Sequence, residues 1–217
     1  MQVVDLSHSL KPGMQIYPGD PVFSCSCVTT VEKDGYAVRS LSMGSHTGTH
    51  VDAPSHFFAD GKSIEQIPLS TFIGPALRID LTHKSPREAI TWEDLAPYKS
   101  QMAAGVILLL RTGWSQYWGT EKYLEHPFLD RAAAEQIMAT GVQVVGIDTF
   151  SPDETRLDGV GDFGAHQVIL GAGGIIAENL TNLHALDGSN YVVHLIPLNI
   201  EGSDGSPVRA FASRTSD

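Results

Sequence analysis

The chain has little of what would place it in several broad classes. Only two cysteines occur in 217 residues. Cys25 and Cys27 are separated by a single residue, a spacing that rarely allows an unstrained disulfide, and two thiols cannot complete a structural zinc site. A disulfide-stapled fold is excluded, and both thiols are expected as small core residues on one face of a strand. Basic residues are also scarce, 14 Lys and Arg against 25 Asp and Glu, for a formal net charge of −11. That field repels a phosphate backbone, so no nucleic-acid partner is expected. No apolar run approaches the ~20 residues of a membrane-spanning helix. The start, Met1-Gln2-Val3-Val4-Asp5-Leu6-Ser7, lacks the basic onset and apolar core of a signal peptide, so the expectation is a cytoplasmic protein with no membrane partner. No Gly-x-Ser-x-Gly elbow occurs, neither cysteine has an evident paired base, and Gly171-Ala172-Gly173-Gly174 lacks the phosphate-binding fingerprints and reads as a turn.

What is present is ordinary globular composition, 42% hydrophobic and 18% charged. No repeat, low-complexity tract or dividing linker is visible, so residues 1–217 are expected to form a single domain with a substantial core. Gln2 to Leu6 reads as a strand. Phe23 to Glu32 and Tyr36 to Met43 read as a hairpin joined at Asp34-Gly35. Pro75 to Leu81, Val106 to Leu110 and Val142 to Ile147 read as further strands, the last two apolar enough to be covered on both faces. Thr91-Trp92-Glu93-Asp94 has the form of a capping box opening a short helix disturbed by Pro97. Asp130 is placed to cap a helix over Arg131 to Met138 that stops near Gly141. Arg214 to Asp217 reads as a frayed tail. Strands alternating with helices, plus an antiparallel hairpin, predict an α/β or α+β fold with a mixed sheet.

One stretch concentrates chemistry. In Ser45-His46-Thr47-Gly48-Thr49-His50-Val51-Asp52-Ala53-Pro54-Ser55-His56-Phe57 three histidines and an aspartate occupy even positions. In an extended segment side chains alternate, so His46, His50, Asp52 and His56 would leave from one face, with Gly48 adding no crowding. The β-branched Thr47, Thr49 and Val51, with Gly48 and Pro54, argue against a helix. Two imidazoles and a carboxylate on one face make a metal half-site. A second cluster lies far along the chain. His166 lies in Gly164-Ala165-His166-Gln167-Val168-Ile169-Leu170, which opens a short helix ending at Gly171, and Glu178 sits in the apolar Ile175-Ile176-Ala177-Glu178-Asn179-Leu180, where a carboxylate is costly unless paired or bound to a cation. Taken alone, His166 is better explained as a capping or packing histidine, and Glu178 as a buried ion-pair partner.

The motif His46-x-Gly48-Thr49-His50-x-Asp52-x-Pro54-x-His56 resembles the signature of the metal-dependent cyclase family, which includes bacterial-type kynurenine formamidases and isatin hydrolases. Resemblance extends over nearly the whole chain, through Asp5-Leu6-Ser7, Tyr17-Pro18-Gly19-Asp20, Leu110-Arg111-Thr112-Gly113-Trp114, Gly146-Ile147-Asp148, Glu178-Asn179-Leu180 and the segment from Ile200 to Ala210. It implies a swivelling β/β/α domain, assembled as a homodimer or larger homo-oligomer. It implies that His46, His50 and Asp52 hold one divalent metal, Zn²⁺ or Mn²⁺, and that Asp52 bridges to a second ion completed by His166 and Glu178, giving one or two ions per subunit. His56 would be the catalytic acid/base rather than a ligand. The implied reaction is metal-assisted hydrolysis of a small molecule, an aryl formamide such as N-formylkynurenine or, as the alternative, an isatin-like lactam or lactone; a metal-binding protein without turnover is the remaining reading. Phe57 and Trp114, with Tyr17 and Phe150, are candidates to line an aryl pocket. Where many relatives carry an apolar residue and Asp-Pro, this chain reads Thr149-Phe150-Ser151-Pro152-Asp153-Glu154, so no substrate contact is carried over there.

Overall fold

The computed structural model describes residues 1–156, 161–188 and 190–214. Nine strands form one mixed sheet in the order Gln2–Asp5, Phe211–Arg214, Val192–His194, Ile73–Asp80, Ile107–Arg111, Val144–Ile147, Ile175–Glu178, His50–Asp52, Gly205–Pro207. The four strands from Ile73–Asp80 to Ile175–Glu178 are parallel, and every other pairing within this sheet is antiparallel. Beyond the first strand the chain bends back over the sheet: Leu6 donates to the Ala210 carbonyl, Thr181 donates to the Leu6 carbonyl, and Ser7 bridges Leu180.

The period-two alternation of the central strands sorts their side chains between two cores. Ile107, Leu109, Val144, Ile175 and Ala177 enter one, and Leu108, Leu110, Val145, Ile147 and Ile176 enter the other. The first core is closed by sheet residues, among them Val4, Val193 and Ala212. The second is closed by the helices Arg131–Ala139, through Ala133, Ala134 and Ile137, and Gly164–Gly171, through Ala165, Ile169 and Leu170. Two β layers and one α layer result, as the resemblance implied.

The helix at 131 forms where the sequence predicts it, although the Asp130 side chain makes no capping bond. Asp94 does close the Thr91 turn, accepting from the Thr91 amide at 2.7 Å, and Pro97 converts the helix Trp92–Leu95 into a 3₁₀ turn. Arg214 ends a strand, and residues 215–217 of the expected tail lie outside the described residues. Two expectations are corrected at the hairpin. Ser24–Thr29 and Val38–Ser42 pair antiparallel, but a helical turn over Val31–Asp34 joins them, with Gly35 ending it at φ 76°. The cysteines are not core residues: Cys27 is exposed, Cys25 is partly so, and no hairpin residue belongs to either core. Strand alternation specified their common direction without specifying what would cover it.

Candidate metal centre

Register places most of the site. His50, Val51 and Asp52 lie opposite Glu178, Ala177 and Ile176 on the neighbouring antiparallel strand. Residues directly opposite share a face, so Val51 and Ala177 enter the sheet-closed core while His50, Asp52 and Glu178 face the helical side. The helix Gly164–Gly171 packs on that side and brings His166 down onto the two carboxylates. The motif itself is not one extended run. His46 lies in a turn, His50 and Asp52 on a strand, and His56 at the end of a 3₁₀ turn opened by Pro54. Gly48 breaks the extension at φ 68°, a left-handed conformation that favours glycine.

The geometry calls for a cation. His46 directs Nδ1 to Asp52 Oδ1 at 2.7 Å. His50 donates from Nδ1 to the Gly48 carbonyl at 2.8 Å, which turns its Nε2 toward Asp52 Oδ1 and Glu178 Oε2, each 3.2 Å away. His166 pairs through Nδ1 with Asp153 Oδ2 at 2.6 Å, and its Nε2 faces Glu178 Oε1 at 3.4 Å and Asp52 Oδ2 at 3.6 Å. A neutral imidazole donating through Nδ1 presents a lone pair at Nε2, which cannot face a carboxylate unless a proton or a metal lies between. Asp52 Oδ2 and Glu178 Oε1 are buried without a hydrogen-bond partner. Unsatisfied buried carboxylate oxygens are rare because their desolvation is uncompensated.

Titration behaviour points the same way. Burial opposes a charge on His50, yet Asp52 and Glu178 hold its pKa well above the ordinary value; Asp153, Asp52 and Glu178 do the same for His166. Burial likewise opposes a charge on His46, and hydrogen bonds to Asp204 and Asp52 lift it to about 9. The cluster therefore demands positive charge, which a dication supplies while releasing those protons. Two donor sets meet at Asp52: His46, His50 and Asp52, and Asp52, His166 and Glu178, with the donor atoms of each set within 4.8 Å of one another. Nitrogen and carboxylate donors of this kind fit a divalent transition metal.

His56 stands beside both sets without belonging to either. Its ring centroid is 4.0 Å from that of His46 and 5.8 Å from that of His166. Burial lowers its pKa, and His46 and His166 lower it further against the pull of Asp52, so it is neutral near pH 7. The cluster opens into a cavity of about 430 Å³ with an aromatic wall. Phe57 stacks on His166 at 4.8 Å, Tyr17 stacks on Phe150 at 5.6 Å, and Trp118 and Phe163 complete the lining. Trp114 is the exception among the expected residues. It is buried behind the cavity, donates from Nε1 to the Lys122 carbonyl, and contacts Tyr117; Trp118, four residues on, reaches the cavity instead. His8, an isolated histidine in the sequence, stacks on Trp118 at 4.3 Å.

Two carboxylates escaped the sequence reading. Asp153 accepts from the amides of Ala165 and His166 as well as from the His166 ring, tying the first turn of the helix to the site. Asp204 faces both His46 and His56. Each lies in a turn-rich stretch where no periodicity marks a function, although Asp153 falls in the segment that departs from the family pattern and Asp204 in the segment from Ile200 to Ala210 that resembles it.

A curled mixed sheet carrying a buried histidine–carboxylate cluster near one edge, open to an aromatic cavity, defines an α/β protein with a candidate metal centre. The chain belongs to the Cyclase family, whose model matches residues 4–154. It is 34% identical to the kynurenine formamidase of Bacillus cytotoxicus over 209 residues, 95% of each chain. Among solved structures it is similar to isatin hydrolase A from Labrenzia aggregata, with TM-score 0.89 and 28% identity over 99% of this chain and 94% of that one. It also matches a potential metal-dependent hydrolase with cyclase activity, with TM-score 0.81 and 28% identity over 100% and 99% of the two chains. Among the described residues no helix is long and apolar enough to cross a membrane.

Proposed function

We propose that this protein is a metal-dependent amidohydrolase acting on a non-peptide C–N bond, with N-formylkynurenine as the leading substrate and kynurenine plus formate as products. The observation that carries this reading is a neutral imidazole, His56, beside a buried cluster that demands a dication and opens into an aromatic cavity. A bound divalent cation supplies Lewis acidity, activating water as a nucleophile and polarising the scissile carbonyl. His46, His50 and Asp52 would hold one ion, and Asp52 with His166 and Glu178 a second; Zn²⁺ and Mn²⁺ both suit these donors. His56 takes the proton of the attacking water and returns it to the departing amine nitrogen as the C–N bond breaks. Phe57, Tyr17 and Phe150 offer flat faces to an aryl group. Among the described residues no Lys or Arg lines the cavity; Gln15, Asp20, Ser151 and Asn179 supply its polar lining outside the donor sets and His56.

The relationship to a kynurenine formamidase at 34% identity supports the formamide reading, and the likeness in shape to an isatin hydrolase supports a lactam as the second. Chelation is expected to abolish turnover and added Zn²⁺ or Mn²⁺ to restore it. In a panel of N-formylkynurenine, isatin and an aryl ester, kcat/KM should be highest for the formamide. A higher value for isatin would establish the second reading, and no metal-dependent hydrolysis of any member would leave a metal-binding protein without turnover.

We also propose that the chain forms a homodimer or larger homo-oligomer through its hairpin. Val28, Val38 and Leu41 on the strands, Val31 and Tyr36 in the connection, and Val22 just before it are all exposed. A two-stranded hairpin with unpaired outer edges is marginally stable alone and is suited to pairing with an identical copy. Light scattering should report a multiple of the 23.4 kDa chain mass, and Leu41→Lys with Val28→Lys should shift it toward that mass. A monomeric wild-type protein would overturn this.

A further inference from the structure

Asp204 takes no part in the two buried donor sets that meet at Asp52; it forms a third, partly exposed group with His46 and His56, its donor atoms also within 4.8 Å of one another, and reaches the site from 148 residues beyond His56. Its Oδ2 lies 3.3 Å from His56 Nδ1 and 3.0 Å from His46 Nε2. An ionised carboxylate only accepts, so both nitrogens facing it carry protons. We propose that Asp204 is the positioning residue for His56: it fixes the tautomer with the proton on Nδ1, leaves Nε2 free to accept a proton, and holds the ring beside that of His46. This rests on the hydrolytic reading for its effect on turnover, though not for the tautomer itself.

The backbone shows how the carboxylate is delivered. The Ala53 amide donates to the Asp204 carbonyl at 2.8 Å, and in the strand that follows Gly205 lies opposite Asp52. A Cβ on Gly205 would lie 2.7 Å from His46 Cε1 and 2.9 Å from the Val51 carbonyl oxygen, so the strand passes directly against the His46 ring and only glycine fits. The preceding turn is anchored, since Ser203 donates from Oγ to the Gly205 carbonyl at 2.6 Å and its own carbonyl accepts from the Ile64 amide at 2.9 Å. Asp204 is thus set between the two imidazoles by main-chain pairing. Its side chain, 42% exposed, is not a packing element whose loss would collapse a core. A carboxylate that orients an imidazole in this way fixes which nitrogen is free for proton transfer, the role of the aspartate in hydrolytic triads.

The test uses the full metal-loaded chain carrying Asp204→Ala, His56→Ala and both together, with Asp204→Asn as a second variant that keeps side-chain size. Asp204→Ala is expected to lower kcat by about 10- to 100-fold, the range for removing an outer-shell partner of a functional imidazole, with KM little changed; because Asp204 also faces the ligand His46, kcat is compared at saturating metal and metal content is measured beside it. In the His56→Ala background the same change should cost nothing further, because the group it positions is gone. Independently of any substrate, ¹⁵N imidazole spectra of the metal-free protein should show His56 with its proton on Nδ1 in the wild type and a mixture of tautomers in Asp204→Ala. Equal slowing with and without His56, loss of metal on substitution, or an unchanged His56 tautomer would each overturn the assignment. Failure of the hydrolytic reading would instead appear as a wild-type protein without turnover and with the tautomer result intact.

Discussion

Replacing His56 with alanine should lower kcat by about 100- to 10,000-fold, the usual contribution of a positioned general acid–base group, while metal content stays at the wild-type level. The two halves of this expectation come from different observations. The loss follows because His56 is the one motif histidine outside both of the donor sets joined at Asp52, and because burial and the nearby His46 and His166 keep it neutral and able to accept a proton. Metal retention follows because His46, His50 and Asp52 are placed by a turn, a strand and pairing with Glu178, none of which depends on the His56 ring. Metal analysis beside steady-state kinetics checks both. A variant that loses its metal would make His56 a ligand, and one that keeps full activity would remove it from the chemistry.

The second large effect is expected at Asp52. Its carboxylate is fully buried and divided, with Oδ1 facing His46 and His50 and Oδ2 facing His166. Among the described residues no other belongs to both sets that meet there, so Asp52→Ala removes a donor from each. Metal affinity should fall by more than the roughly 10- to 100-fold typical of outer-shell changes, and hydrolysis should drop to background. His166→Ala provides the contrast, since it removes a donor from one set alone. In a two-ion protein it should bind about one ion fewer than the wild type, whereas Asp52→Ala should hold neither firmly. Equal stoichiometry in the two variants, measured by elemental analysis after dialysis, would show that Asp52 does not join two half-sites.

The sequence by itself determined the local facts. Alternation of apolar residues marked the central strands, Asp94 was legible as the cap of the Thr91 turn, and the spacing of His46, His50, Asp52 and His56 marked one half of a site. Even there the reason differed from the expectation. The four residues converge because Gly48 and Pro54 bend the chain around a short strand, and a simple period-two face would not bring His46 within 2.7 Å of Asp52. The exposure of Cys27 and of its hairpin was invisible, since periodicity states which residues share a face and not what lies against it.

Only the tertiary structure decided the other half. His166 and Glu178 join Asp52 because Ile175–Glu178 pairs with both Val144–Ile147 and His50–Asp52, and because the helix Gly164–Gly171 packs on the face those carboxylates share. Asp153 and Asp204 reach the imidazoles from turns with no repeating pattern, and Trp118 rather than Trp114 meets the cavity. The physical reason is common to all of these. Backbone geometry fixes the relations of residues a few positions apart, whereas contacts between residues from 13 positions apart, as Asp153 and His166 are, to more than a hundred depend on strand order and helix packing, which the burial of two separate cores selects for the chain as a whole.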